Sequence, residues 1–166
     1  YQWFEEVLES NAYDTLLTAH HADDQLETLF MRLTRGSGLE GLGGIHGIKG
    51  TLVRPLLPFQ KDEILAYANA QELNWREDAS NSSTQYLRNA IRHKVLPSFT
   101  ELSPDAAINT LTSMQHLRDA FEGIQSQLKN IKTDWKQHGE ALRIPFSSID
   151  GLHPKSFWLH NLFAPY

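Results

Sequence analysis

The feature that most constrains the fold is an apolar run that passes directly into a polar cluster and then into a helix pattern. Residues 15–19 form a short, mainly apolar run, which suits a buried parallel strand. The polar cluster HHADD follows, and Leu26, Leu29, Phe30 and Leu33 then repeat at helical spacing. A second strand is predicted at 51–53, stopped by Pro55, and a helix at 61–71. This alternation predicts an α/β fold built on a parallel sheet.

The polar cluster is the first candidate site. In open parallel sheets, ligands bind at the carboxyl ends of strands, where a helix N-terminus also favours anions. Asp24 and Glu27 have capping-box spacing, so one carboxylate could serve only the helix end, and Asp24 could instead hold Mg²⁺. With His20, His21 and Asp23 beside them, the polar groups exceed what capping needs, and we predict a functional site.

Several other classes of protein are disfavoured by composition. The chain has no cysteine, which excludes disulfides, thiolate zinc sites and iron–sulfur clusters within it. HExxH is absent, and adjacent histidines at a strand end tend to point to opposite faces, which disfavours a zinc hydrolase. The net charge is −5, so nucleic-acid contact would depend on local basic patches. No apolar run is long enough to span a membrane.

The stretch RGSGLEGLGG at 35–44 contains the spacing GxGxxG of a dinucleotide-binding fingerprint. That mechanism requires a preceding strand and a following helix, whereas this stretch follows the predicted helix. The remaining interpretations are a backbone cradle for a phosphate or base and a flexible connection. Arg32 and Arg35 bracket its start, which favours an anionic partner.

A second basic element is predicted as a helix at 85–95 that ends near Pro97. It places Arg88 and Arg92 four residues apart on one face, where they could clamp a phosphate or carboxylate. The alternatives are a solvated basic face or simple pairing with the nearby Glu77 and Asp78.

The C-terminal part is helical in pattern. A heptad-like seam predicts a helix of about 30 residues beginning near Ser103 or Pro104; its members are Leu117, Phe121, Ile124, Leu128, Ile131 and Trp135. Lys129, Lys132 and Lys136 would form a solvated face of this helix. Leu142, Ile144 and Phe146 alternate as a short edge strand, and a further apolar segment begins at Phe157.

Four motifs in one order resemble the tRNA(Ile)-lysidine synthetase family, whose members are PP-loop ATP-pyrophosphatases. They are HHADDQLET, RGSGLEGLGGI, RPLLPF and EDASN with YLRNAIRH. The resemblance is close over 1–97 and weaker to the C-terminus. It implies a partial parallel-sheet, adenine nucleotide alpha hydrolase-like domain at 1–97. A long-helix linker region at 98–139 and the start of a substrate-binding domain at 140–166 would follow.

The resemblance also implies an activity. Such ligases adenylate cytidine 34 in the anticodon of isoleucine tRNA with ATP, releasing pyrophosphate, and the amine of lysine then displaces AMP to form lysidine. The implied partners are ATP, L-lysine and isoleucine tRNA with a CAU anticodon, with Mg²⁺ as cofactor. A cytoplasmic enzyme without a membrane partner is expected, and homodimerisation is left open.

Roles for individual residues follow from the resemblance alone. Asp23, Asp24 and Glu27 would orient the lysine amine. ATP or the adenylate would be bound by the histidines and arginines of the motifs, namely His20, His21, Arg88 and Arg92. The start of the glycine-rich stretch would border the substrate cleft; these residues are Arg35, Gly36, Ser37 and Gly38.

The sequence departs from the family pattern in one respect. The phosphate-binding SGGxDS loop that the family carries upstream of HHxDD is absent, as are its first strands and most of its C-terminal tRNA-binding region. We therefore expect this chain alone to bind ATP poorly and not to catalyse the ligation. The alternatives are a related tRNA 2-thiolation enzyme, whose cytidine-thiolating type uses cysteines that this segment lacks, and a non-catalytic tRNA-binding module.

Overall fold

The computed structural model describes residues 2–76, 87–139 and 141–163. The chain divides into two compact units, Tyr1–Arg118 and Asp119–Tyr166. The first unit contains, in order, α1 (Gln2–Ser10), β1 (Leu16–Leu17), α2 (Ala22–Leu33), α3 (Leu39–Leu42), β2 (Ile48–Lys49), β3 (Leu52–Val53), α4 (Lys61–Ala70), α5 (Leu87–Ala90), a π-helical turn (Ile91–Val95) and α6 (Leu96–Glu101). Helix α7 (Ala106–Lys132) begins in this unit and contributes its residues from Asp119 onward to the second.

The sheet of the first unit has the order β1-β3-β2. β1 pairs with β3 in parallel, with Leu16 opposite Leu52, which confirms the parallel pairing expected from the sequence. The antiparallel β2 was not predicted; it joins β3 through Gly50, whose φ of +59° suits a tight hairpin. The prediction of a buried strand at 15–19 is wrong in part, because β1 has two residues and lies at a sheet edge, where Leu17 is 63% exposed.

The core of this unit forms where α2 packs against the segment that runs from α5 to α6. Leu26, Ile91 and Leu96 are its buried centre. Phe30 of α2 also meets Phe99 of α6 edge to face, with ring centroids 5.4 Å apart. The prediction that this helix ends near Pro97 is wrong. Pro97 lies in the first turn of α6, where its missing N–H costs little, and the π-helical turn precedes it.

The second unit contains the end of α7 followed by β4 (Lys136–His138), β5 (Ala141–Arg143), α8 (Ser147–Asp150) and α9 (Lys155–Phe163). Leu128 and Leu162 are buried, and the rings of Trp135 and Phe163 lie 5.5 Å apart. The long helix is confirmed with 27 residues. Trp135 lies beyond its end, however, because the chain turns at Lys132 and then enters β4.

Two further predictions in this unit are corrected by the strand boundaries. Lys136 belongs to β4, opposite Arg143, rather than to a helix face. Phe146 precedes α8 and is 71% exposed, because β5 ends at Arg143 and Pro145 has no N–H to extend the ladder. No helix in the described part of the chain is both long and apolar enough to cross a membrane.

Candidate functional site

An open cleft lies where the chain leaves the carboxyl end of β1 and enters α2. Its volume is about 350 Å³, and it is lined by Ala19, His20, Asp24, Arg88, Asn89 and Arg92. Four predicted site residues, His20, Asp24, Arg88 and Arg92, are therefore brought to one cleft from two distant stretches of the sequence. The packing of α2 on α5 and the π-helical turn places them there.

Asp24 is buried and uses both of its carboxylate oxygens. Oδ2 accepts a hydrogen bond of 2.9 Å from the backbone N–H of His21, which closes the first turn of α2, and Oδ1 accepts one from Arg88 Nη2. The capping interpretation is thus correct for one oxygen only. With a guanidinium already at the other oxygen, Asp24 in this arrangement does not fit a ligand for Mg²⁺. Among residues 2–76, 87–139 and 141–163, no three metal-ligating side chains are grouped.

Glu27 lies one turn further along α2 and has no exposed surface. Its Oε2 accepts a bond of 2.6 Å from Arg88 Nε, and its Oε1 accepts one of 2.5 Å from Arg92 Nε. Burial is the largest single influence and lowers the pKa of Arg88, but the hydrogen bonds and charges of Glu27 and Asp24 together outweigh it and raise the pKa. Both arginines therefore pair with carboxylates of α2. Glu77 and Asp78, the alternative partners, lie outside the described residues.

The adjacent histidines have different surroundings. His20 Nδ1 lies 3.0 Å from Thr18 Oγ1, and partial burial lowers the pKa of His20 although Asp24 opposes the shift. His21 Nδ1 lies 3.2 Å from Asp23 Oδ2, and the interaction with this carboxylate raises the pKa of His21. His20 lines the cleft and is uncharged at neutral pH, whereas His21 faces a carboxylate and is not among the lining residues.

Asp23 connects two helix N-termini. Its Oδ2 accepts a hydrogen bond of 2.8 Å from the backbone N–H of Lys61, the first residue of α4. The interaction with His21 lowers the pKa of Asp23, and the hydrogen bond from the Lys61 N–H acts in the same direction. A negative charge is favourable at a helix N-terminus. Asp23 therefore fixes α2 against α4, beside the cleft rather than in its lining.

Comparison with known proteins decides the family. A family model described as a PP-loop domain matches residues 1–99. The chain belongs to the PP-loop family.

The chain is also similar to proteins named tRNA(Ile)-lysidine synthase. The protein from Exiguobacterium sibiricum is 37% identical over 154 residues, covering 92% of this chain and 36% of the relative. The one from Pseudomonas fluorescens is 42% identical, covering 74% of this chain and 28% of the relative. The one from Porphyromonas gingivalis is 33% identical over 166 residues, covering 95% of this chain and 37% of the relative. The chain thus spans about a third of the length of these curated relatives.

The glycine-rich stretch of this PP-loop domain lies apart from the cleft lining. It follows α2 and contains α3, which confirms that it is not a dinucleotide fingerprint. Arg35 is exposed, and Arg35, Gly36, Ser37 and Gly38 are not among the residues that line the cleft. Arg32 Nη1 donates to the carbonyls of Gly41 and Gly44, so this nitrogen serves the stretch itself, and a role of Arg32 toward an anionic partner stays a prediction.

Gln25 is the residue that sequence reasoning missed. It is buried, its Nε2 donates to Ile45 O at 2.9 Å, and its Oε1 accepts from Ile45 N at 2.6 Å. Gly44 permits this approach: its φ is +83°, and a Cβ there would lie 2.3 Å from Gln25 Oε1. Its place between Asp24 and Leu26, on a helix that must bury one face, was the available signal, because a buried amide needs partners.

Proposed function

We propose that this chain carries the charged part of the active site of a tRNA(Ile)-lysidine synthase. The proposed reaction uses ATP to adenylate cytidine 34 of isoleucine tRNA, with release of pyrophosphate. The amine of L-lysine then attacks C2 of the base and AMP leaves. The observation that carries the proposal is the cleft at the end of β1, which gathers His20, Asp24, Arg88 and Arg92 within a PP-loop domain. The names of the relatives supply the substrate assignment.

The two arginines suit the anionic groups of this reaction. Both ATP and the adenylated intermediate carry negative charge at the α-phosphate, and fixed guanidinium groups stabilise such charge without reorganising. Asp24 and Glu27 hold Arg88 and Arg92 in place through ion pairs. We assign phosphate binding to the arginines. Glu27 is buried and accepts hydrogen bonds from both arginines, so we assign it the role of a positioning residue.

The lysine amine needs a different environment. A free lysine amine has a pKa near 10.4, so it must lose a proton before it attacks. Asp24 is the carboxylate that lines the cleft; both of its oxygens already accept hydrogen bonds, so it would attract the ammonium group through its charge. His20, neutral because its pKa is lowered, can accept a hydrogen bond or a proton there. Asp23 supports the site by fixing the start of α2 to α4.

The remaining assignments complete the proposal. The stretch from Arg35 to Gly38 would contact the tRNA at the border of the cleft, and Mg²⁺ would accompany ATP rather than bind Asp24. The nucleotide-binding part at 1–97, the helical linker at 98–139 and the further domain beginning at 140 are proposed divisions. A cytoplasmic location is proposed with them, and homodimerisation is left open.

The deciding experiment is lysidine formation on isoleucine tRNA by the protein at the length of its relatives. Asp24→Asn should lower the rate by about 100-fold or more, since it removes the charge that orients both the amine and Arg88. Asp14→Asn, which removes an exposed carboxylate, is the matched control and should leave the rate unchanged. An unchanged rate in Asp24→Asn, with the fold intact by circular dichroism, would remove this cleft as the active site. The 166-residue chain alone should not form lysidine.

A further inference from the structure

A second pocket of the first unit carries unexplained positive charge. It has a volume of about 610 Å³ and lies between α7 and the segment that follows β3. Arg54 and Arg118 both line it, and the part of its wall that the structure describes has no acidic side chain. We refer to it as the arginine pocket. It shares no lining residue with the cleft, although Arg54 lies near enough to His20 of the cleft to contribute to lowering its pKa.

Both guanidinium groups are bound by carbonyls of one short backbone segment. Arg54 Nη1 donates to His46 O at 2.8 Å, and Arg118 Nη1 donates to Ile45 O at 3.1 Å. These carbonyls belong to consecutive residues, whose Cα atoms are about 3.8 Å apart. Two like charges are therefore anchored on one short segment, an arrangement that favours an anion between or beside them.

Each arginine also lacks part of its hydrogen bonding. The Nε atoms of Arg54 and Arg118 are buried, and neither has a partner among the described residues. Buried N–H groups are nearly always paired, so two such groups on one pocket call for an acceptor other than the described residues, such as a bound ligand. Arginine's planar fork matches phosphate oxygens in particular.

The pocket wall also has an apolar part, beside the polar side chains of Gln25 and Gln115. Val53, Pro55, Leu57, Pro58 and Leu111 surround the two arginines. A bare inorganic anion would leave this surface in contact with water, whereas a nucleotide would place its phosphate on the arginines and its ribose or base on the apolar wall. The pocket therefore fits a phosphate carried by a larger, partly apolar group.

We propose that the arginine pocket binds one nucleotide of the RNA substrate, with its phosphate held by Arg54 and Arg118. This inference rests on the proposed function for the identity of the substrate. It adds a contact outside the cleft that would hold the tRNA in register while the base reacts, because phosphate contacts position a nucleic acid without reading its sequence.

The direct test follows the Nε–H NMR signals of Arg54 and Arg118 in this chain. Titration with cytidine monophosphate should shift both signals, unphosphorylated cytidine should not, and isoleucine tRNA should shift them at lower concentration. An equal response to inorganic phosphate would show a bare anion site and overturn the nucleotide assignment. A response to the free nucleotide but not to tRNA would overturn the RNA assignment, and no response to either would remove the site.

A second measurement uses the salt dependence of tRNA binding by the protein at the length of its relatives. Arg118→Met should reduce the slope of log affinity against log salt concentration by about 1, as expected for one lost phosphate contact. Arg118→Lys, which keeps the charge, should retain most of the slope. Lys155→Met removes a charge from the second unit, where Lys155 pairs with Asp150, and is the matched control. Equal slopes in Arg118→Met and the wild type would contradict the proposal.

The two proposals can fail independently. If the wild-type protein forms no lysidine but tRNA still shifts the two arginine signals, the proposed function is wrong and the RNA contact stands. If lysidine forms normally and tRNA leaves the signals unchanged, the arginine pocket has no role in RNA binding. Unfolding of Arg118→Met in urea checks that the loss of the bond to Ile45 has not disrupted the fold.

Discussion

The cleft and the glycine-rich stretch are both rich in charged or polar sequence, yet they use it differently. In the cleft, carboxylates of α2 bind guanidinium groups of α5 and the π-helical turn, so side chains are paired with side chains. In the stretch at 35–45, Gln25, Arg32 and Arg118 bind backbone groups. The cleft therefore depends on the charge of its side chains, whereas the stretch depends on the conformation of its backbone. We expect the cleft to be sensitive to loss of charge and the stretch to be sensitive to changes that alter the backbone or its hydrogen bonds.

The largest expected effect is that of a single methyl group in the glycine-rich stretch. Gly44→Ala would place a Cβ 2.3 Å from Gln25 Oε1 and 2.4 Å from Met114 Cε, at a φ of +83°. We expect a loss of about 3–4 kcal/mol in the free energy of unfolding, measured in urea. Gly36→Ala is the matched control, because its φ is +68° but nothing lies within 4 Å; it should cost only about 1 kcal/mol. Equal losses would mean that strain alone, and not the close approach, requires glycine.

The next effect concerns charge in the cleft. Glu27→Gln keeps the shape of the side chain but removes the charge that both Arg88 and Arg92 face. We expect a loss of about 2–3 kcal/mol in unfolding free energy, together with altered chemical shifts of both arginine Nε–H groups. Glu40→Gln, at an exposed position of α3, should change stability by less than about 0.5 kcal/mol. A neutral result for Glu27→Gln would show that pairing contributes nothing beyond packing.

Arg32→Met tests whether arginine in the stretch acts through the backbone. The substitution removes the bonds to the carbonyls of Gly41 and Gly44 while keeping an apolar side chain. We expect a loss of about 1–2 kcal/mol in unfolding free energy. Arg35→Met, at an exposed position two residues beyond α2, should stay within about 0.5 kcal/mol of the wild type. The comparison would fail if the two substitutions were equally costly.

The smallest effect separates the two adjacent histidines. NMR titration should give His20 a pKa below 6.5 and His21 a pKa above 6.5, because burial acts on the first and Asp23 on the second. The reverse order would contradict the placement of His20 at the cleft.

The same pair predicts a pH dependence of stability. A raised pKa of His21 means that its contribution is present below 6.5 and is lost as pH rises through the folded value. A lowered pKa of Asp23 means that its contribution is present above 3.8 and is lost as pH falls through the folded value. The interaction of His21 with Asp23 therefore stabilises the folded protein most between pH 3.8 and pH 6.5. His21→Gln should cost more at about pH 5 than at about pH 8, by under about 1 kcal/mol in urea unfolding.

Local pattern predicted the elements that have a strong period. Helix α2 follows from the spacing of Leu26, Phe30 and Leu33, and the order of strand, polar cluster and helix predicted that a site would form at the end of β1. The family resemblance also followed from the sequence, and the match over 1–99 confirmed it. Strand limits were less accurate, because a two-residue strand such as β2 carries almost no periodic signal.

Which charged groups meet was decided only by tertiary packing. The sequence named Glu27, Arg88 and Arg92, but α2 has to pack on the π-helical turn before one buried carboxylate can face both arginines. Likewise, nothing local indicates that Gly44 must admit Gln25, or that Arg54 and Arg118 anchor on consecutive carbonyls. The spacing of apolar residues indicates which residues of a helix or strand face its buried side. Contacts between residues far apart in the chain depend on how the elements pack, which no local pattern encodes.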